Sequence, residues 1–202
     1  MSVTPESRPR IVAISLKYKS FFDETYARLF TQLLEKASVQ RAKKPASALD
    51  LLQQQPPPVA VLITDQGLTE GYPDVWDAVI AYVRQGGTAI AMAGLAWDSG
   101  AYHRTTVALN PQVAGSAAAK LPGRYSQKAL FLKGVHSTAV MYGPDQTSVT
   151  ESLVFPSERV GDVTQAAISF AKVGDGKIGY VGDVNVEEGT DAAILAMCGL
   201  LV

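Results

Sequence analysis

The chain has 202 residues, of which 47% are hydrophobic and 18% charged, with one cysteine and a formal net charge of −1. A chain of this length forms one domain and buries about 70% of its unfolded surface, so it needs neither a disulfide nor a structural metal to fold. The single Cys198 excludes an intramolecular disulfide and a cysteine-based zinc cluster. The near-neutral charge argues against a general nucleic-acid-binding protein.

The N-terminal segment is polar and contains two prolines. We therefore expect 1–10 to be a disordered lead-in and not a signal peptide, followed by a single domain over 11–202. No apolar run reaches the length of a membrane span, so no membrane association is expected. With the unpaired cysteine, this favours a cytoplasmic protein.

Strand and helix patterns alternate over the first half of the chain. Short apolar runs predict strands that are buried on both faces, and apolar residues at helical spacing follow them. The predicted strands are 11–16, 39–42, 59–64 and 88–93, and the predicted helices are 20–37, 45–54 and 73–85. This alternation predicts an α/β fold: a three-layer sandwich with a mostly parallel central sheet and helices on both faces.

The second half is less regular. Prolines and glycines interrupt 98–160, which we expect to form an irregular cover or insertion with possible strands at 105–109, 130–135 and 138–142. Apolar runs at 166–173 and 177–184 flank Gly174, Asp175 and Gly176, which predicts a C-terminal antiparallel hairpin. A final helix is predicted over 192–201, with Thr190 as its cap.

In a parallel sheet, ligands bind beyond the carboxyl ends of the strands. Asp183 ends a buried strand there and is the best candidate for a shifted pKa. No dinucleotide fingerprint and no Walker A sequence is present, so we expect no cofactor. The candidate ligand-binding residues are Asp65, Gly67, Gly94, Trp97, His103, Asp183 and Asn185.

The pattern resembles the class I glutamine amidotransferase-like superfamily, whose fold is flavodoxin-like. The features that carry the resemblance are the predicted parallel front half, Gly86-Gly87 before a strand, the turn at Gly94, and the stretch 176–185 before the last helix. Within the superfamily it is most similar to uncharacterised amidotransferase-like proteins of fungi.

The resemblance implies a cysteine after the strand at 88–93, and a histidine and a glutamate after the late strand. The segment 89–98 contains no Cys, Ser or Thr, and Asp183-Val184-Asn185 contains no histidine. Cys198 lies in an apolar run and is expected to be a core residue. Glu187 or Glu188 could take the place of the glutamate, but neither has a nucleophile to assist. We therefore expect no glutamine hydrolysis by the Cys-His-Glu mechanism. A domain that resembles an enzyme family but lacks its catalytic residues is a pseudoenzyme, and we expect this chain to be one.

Three functions remain open. The first is a small-molecule or protein-binding module, and the second is a hydrolase of altered mechanism that uses Ser99, His103 or Asp183. The third is a structural or oligomerising module, for which a homodimer is possible. A metal site would need His103, His136 and Asp183 to converge, and their spacing gives no support for one, so no metal is expected.

Overall fold

The computed structural model describes residues 8–18, 22–92, 103–113, 116–152 and 154–201. The strands are β1 (Arg10–Ile14), β2 (Ser38–Ala42), β3 (Ala60–Ile63), β4 (Thr88–Met92), β5 (Arg104–Leu109), β6 (Arg124–Lys128), β7 (Val140–Gly143), β8 (Val149–Glu151), β9 (Glu158–Arg159), β10 (Ile168–Val173) and β11 (Gly176–Val181). The helices are α1 (Phe22–Thr25), α2 (Ala27–Lys36), α3 (Pro45–Gln53), α4 (Gly67–Gly71), α5 (Pro73–Arg84) and α6 (Glu188–Met197).

All eleven strands join one mixed sheet, in the order β2-β1-β3-β4-β11-β10-β7-β5-β8-β9, with β6 paired to β5. Among the described strands, six of the ten pairs are antiparallel. The predicted three-layer α/β sandwich with a mostly parallel sheet is therefore wrong, and so is the flavodoxin-like description. Parallel pairing is confined to β2, β1, β3, β4 and β11, and the rest of the molecule is a strand-rich antiparallel extension.

Strands β1 and β3 are apolar because both of their faces are covered. Along β1, Ile11 and Ala13 belong to one core cluster and Val12 and Ile14 to another, and all four are fully buried. The first cluster includes residues of α1, α2 and α6, and the second includes residues of α3 and α5. Alternate residues of a strand point to opposite faces, so one short apolar run supplies both clusters.

The segment 98–160 contributes strands β5 to β9 to the sheet. A strand was predicted at 130–135, but the structure has only isolated bridges there, at Ala129 and Leu132. Strand β6 was missed because its sequence, Arg-Tyr-Ser-Gln-Lys, is polar; it pairs with β5 along its whole length. Half-buried antiparallel strands tolerate such sequences because one face meets solvent.

Strand β11 lies where the two parts of the sheet meet. It pairs in parallel with β4 and in antiparallel with β10, to which a turn at Gly174 and Asp175 connects it. The backbone at Gly174 is left-handed (φ 61°), a conformation that favours glycine. After β11 the chain turns at 183–187 into α6, which begins four residues earlier than predicted. In the described part of the chain, no helix has the length and apolar character needed to cross a membrane.

Candidate functional site

Asp183 follows the carboxyl end of β11 and is only 1% exposed. Its Oδ1 accepts a hydrogen bond from the Asn185 amide at 2.9 Å, and its Oδ2 accepts from the Glu187 amide at 2.8 Å and from the Thr190 hydroxyl at 2.5 Å. Burial raises the pKa of Asp183, and these three donors oppose the rise by stabilising the carboxylate. The side chain therefore organises the turn between β11 and α6.

The turn that Asp183 organises contains a strained residue. Val186 has a left-handed backbone (φ 56°), which is unusual for a β-branched residue. Its carbonyl oxygen accepts a 2.5 Å hydrogen bond from Nη2 of Arg28 on α2. Backbone strain of this kind persists where the surroundings hold it, and it is concentrated at functional sites.

Arg28 also pairs with Asp191, in the first turn of α6. Its Nε lies 2.5 Å from Asp191 Oδ2. The Asp191 side chain is 1% exposed, whereas that of Arg28 is 43% exposed. Burial raises the pKa of Asp191, and the guanidinium of Arg28 opposes that rise. Among the described residues, Asp191 Oδ1 has no hydrogen-bond partner.

Tyr26, between α1 and α2, lies within electrostatic range of both carboxyls. Its hydroxyl is buried and finds no hydrogen-bond partner in the described part of the chain. Burial raises its pKa, and the charges of Asp183 and Asp191 raise it further. A buried polar group without a partner costs free energy, so it marks a place where a water or a ligand atom fits.

Strand β6 supplies the other wall of this site. The Tyr125 hydroxyl is 3.1 Å from the Thr190 hydroxyl, and burial raises the pKa of Tyr125. The Tyr125 ring lies against Gly189, where an added Cβ would approach it to 2.7 Å. Gln127, on the same face of β6, is fully buried, and neither of its amide atoms has a partner among the described residues.

An ion-pair network closes the outer side of the site. Arg104, at the start of β5, donates to Glu187 Oε1 at 2.6 Å and lies 3.6 Å from Glu151. The Ser126 hydroxyl also donates to Glu151. Glu187 is therefore paired with Arg104, whereas Arg28 pairs with Asp191 and, at 3.8 Å, with Glu188. Asp183 has no ion-pair partner among the described residues.

Asp65 and Gly67 form a separate turn after β3. Asp65 Oδ2 accepts from the Lys17 amide at 2.9 Å, and its Oδ1 accepts from the Gly67 amide at 2.8 Å. A Cβ at Gly67 would come within 2.8 Å of Asp65 Oδ1, so glycine is required by the close approach. Asp65 and Gly67 therefore connect the ends of β1 and β3.

The other candidates do not gather around Asp183. His103 lines a groove of about 410 Å³ beside β8 and β9, together with Phe155 and Arg159. His136 is exposed, and its Nδ1 lies 2.8 Å from the Thr138 hydroxyl. Gly94, Trp97 and Ser99 lie outside the described residues. Within the described ranges, no group of three His, Cys, Asp or Glu residues could hold a metal ion.

Cys198 lies in the core at the end of α6, as its apolar surroundings predict. Burial raises the pKa of its thiol to about 12, so the thiolate is negligible at neutral pH. Of this cluster, Asp183 and Asn185 are proposed from the sequence as site residues, whereas Tyr26, Arg28, Tyr125, Gln127 and Asp191 are not. The sequence signal for Asp191 is its place in an acidic run with Glu187 and Glu188, and such a run at the start of a helix is also typical of helix-dipole compensation.

Comparisons with known proteins show a likeness of fold. No family model matches the sequence, and no curated protein matches it. A β-galactosidase from Bacillus circulans sp. alkalophilus has a TM-score of 0.57 and 13% identity, over 96% of this chain and 31% of that chain. A putative ThuA-like protein from Bacteroides uniformis has a TM-score of 0.54 and 9% identity, over 100% of this chain and 94% of that chain.

A third similar structure is a β-galactosidase from Rahnella sp. R3, with a TM-score of 0.50 and 14% identity over 96% of this chain. This chain spans about a third of the β-galactosidase chains it matches, 31% and 32% of their lengths. The comparisons support neither the predicted fungal kinship nor the predicted pseudoenzyme, since the similar chains have other names and sources. The resemblance to class I glutamine amidotransferases stays a prediction.

Proposed function

We propose that this chain is a binding domain for a small polar molecule, held at the carboxyl end of β11. One observation carries the proposal: Asp191 Oδ1 and the Tyr26 hydroxyl are buried and lack partners among the described residues, and the charge of Asp191 acts on Tyr26. Sites for small molecules place a few polar groups within apolar surroundings in this way. The half-exposed Arg28 side chain borders the site and provides a side from which a small molecule enters.

Charge favours a ligand that carries a positive group. Asp183 has no ion-pair partner among the described residues, Asp191 pairs with Arg28, and Arg104 pairs with Glu187 and Glu151. A buried carboxylate without full compensation is costly, and an ammonium group would donate to Asp191 Oδ1 while balancing the charge. The class of ligand is therefore a small amine that also carries a hydroxyl or another acceptor for Tyr26.

The alternative hydrolase receives no support from this geometry. A general base must reach the proton that it takes from the substrate, whereas Asp183 is only 1% exposed and accepts three hydrogen bonds from the turn and α6. None of the contacts described for His103 joins it to Asp183. As further parts of the proposal, we place the protein in the cytoplasm and leave its oligomeric state to experiment.

The proposal is tested by measuring thermal stability with ethanolamine, glycerol or acetate at equal ionic strength. We expect ethanolamine to raise the melting temperature most and acetate least. Tyr26→Phe removes an unpartnered hydroxyl, so the free protein should keep or gain stability while its response to ethanolamine falls.

Tyr82→Phe is the matched control, because the Tyr82 hydroxyl donates to the Pro58 carbonyl at 2.9 Å in another part of the molecule. It should lower stability and leave the ethanolamine response unchanged. If no probe shifts the melting temperature, or if acetate acts as strongly as ethanolamine, the proposed amine site is wrong and a bound water satisfies Tyr26 and Asp191.

A further inference from the structure

A second cavity lies near the amino end of β11, away from the Asp183 site. It has a volume of about 310 Å³, at the lower end of the range for small-molecule sites. It lies between β10, β11, the end of α6 and the short turn before β7. Its apolar lining includes Leu121, Val140, Met141, Phe170, Ala196 and Met197.

The cavity has one charged group in its described lining, Lys177. The Lys177 ammonium lies 5.3 Å from the centre of the Phe170 ring. Directly across the antiparallel ladder, Lys177 is paired with Lys172. Directly opposed residues extend to the same side of a sheet, so Lys172 lies beside Lys177, next to the cavity lining.

This pair of lysines is uncompensated. Neither Lys172 nor Lys177 has an ion-pair partner among the described residues. Like charges directly opposite each other destabilise a sheet. An anion placed between them would remove the repulsion and form two charge-assisted contacts.

The apolar part of the cavity suits a flexible chain. Met141 and Met197 form walls that are nearly buried, and methionine side chains adapt to irregular partners. At Gly179, two residues beyond Lys177 on the same face, an added Cβ would approach Met197 Sδ to 2.7 Å. Because Gly179 has no side chain, α6 lies close to the sheet there and forms the floor of the cavity.

We propose that this cavity binds a linear monocarboxylate, with its alkyl chain against Met141, Met197 and Phe170 and its carboxylate between Lys172 and Lys177. The site is independent of the amine site. Lys177 and Asp183 are separated by about 20 Å along the strand direction, and their surroundings carry opposite charges. The small volume favours a single chain over a membrane surface.

Isothermal titration calorimetry with octanoate, octanol and octylammonium tests the proposal. We expect octanoate to bind most tightly and octylammonium most weakly. Lys177→Met keeps the length of the side chain and removes its charge, so octanoate affinity should fall about tenfold while octanol affinity stays the same. Lys133→Met, at an exposed lysine outside the cavity lining, is the control and should change neither affinity.

A second variant tests the apolar part. Ala196→Leu adds volume at the cavity wall and should weaken octanoate and octanol alike. Circular dichroism and the melting temperature report whether each variant is folded. Equal binding of octanoate and octylammonium, or octanoate binding that is unchanged in both variants, would falsify the proposal. Binding to phosphatidylglycerol vesicles without binding to free octanoate would instead assign this face to a membrane surface and overturn it.

Discussion

The Thr190 hydroxyl donates a 2.5 Å hydrogen bond to Asp183 Oδ2, although the sequence predicts Thr190 to be the cap of the last helix. Thr190 lies inside α6, and its hydroxyl ties the first turn of the helix to the end of β11. The Tyr125 hydroxyl lies 3.1 Å from the same hydroxyl, so Thr190 links β6, the end of β11 and α6. The polar cluster is therefore a structural junction as well as a candidate site.

The first prediction concerns this junction. Thr190→Val keeps the shape of the side chain but removes the donor to Asp183, so it should lower the free energy of unfolding by about 2 kcal/mol. Thr190→Ser keeps the hydroxyl and should lose less. Urea denaturation measures both changes, and equal losses in the two variants would show that the methyl group, not the hydroxyl, stabilises the junction.

The second prediction concerns pH. Burial raises the pKa of Asp183, so the folded protein retains this proton to a higher pH than the unfolded chain, in which the pKa is about 3.9. The stability that the protonated carboxyl contributes is complete below that value and is lost as pH rises through the folded pKa. The unfolding free energy of the wild type relative to Asp183→Asn should therefore decrease from acid to neutral pH.

Asp162 provides a control of opposite sign for the pH experiment. Its Oδ1 accepts from the Thr164 hydroxyl at 2.6 Å and from the Thr164 amide at 2.9 Å, and these bonds hold its pKa below the ordinary value. Its contribution is present above the unfolded pKa and is lost as pH falls. The unfolding free energy of the wild type relative to Asp162→Asn should thus increase from acid to neutral pH. If the stability difference changed with pH in the same direction for both variants, the raised pKa of Asp183 would be contradicted.

The third prediction is a coupling between Arg28 and Asp191. Arg28→Met leaves a buried carboxylate unpaired and removes the hydrogen bond to the Val186 carbonyl, so it should destabilise the protein. Because the guanidinium is half-exposed, solvent screening limits the coupling energy to about 1 kcal/mol. A double-mutant cycle with Asp191→Asn measures it, and additive losses would show that the two side chains act independently.

The sequence predicts β1, β3 and β4 because they are mostly buried and therefore largely apolar. It also predicts Asp183, since a polar residue that ends such a run stands out. Strand β6 was missed because residues such as Ser126 and Lys128 alternate with Tyr125 and Gln127, and no apolar run marks it. Three of the six described antiparallel pairs involve β6, β8 or β9, which the sequence does not predict.

The cluster around Asp183 depends on contacts between distant parts of the chain. Arg28 and Asp191 are 163 positions apart, and Arg104 and Glu187 are 83 apart. Local patterns carry no information about such pairs, because a basic residue on an amphipathic helix is typical of a solvated face and gives no sign of a buried partner. Convergence of this kind is set by how the helices pack on the sheet.

The fourth prediction concerns the free protein. Lys177→Met removes one of two opposed ammonium groups, so it should raise the free energy of unfolding by about 0.5 kcal/mol at low salt. The gain should shrink at high salt, because ions screen exposed charges. Lys133→Met lacks an opposed lysine and should give no such salt-dependent gain. A gain at Lys177 that is unaffected by salt would point to apolar packing against Phe170 instead.

The last prediction concerns Cys198. Because burial raises its pKa to about 12, the thiol should react with an aromatic disulfide reagent only when the protein unfolds. Cys198→Ala leaves a small cavity in the core and should cost about 1 kcal/mol of stability. The wild type should also release no ammonia from glutamine. Glutamine turnover that Cys198→Ala abolishes would overturn this interpretation, because it would require a reactive thiolate at a position where the fold excludes water.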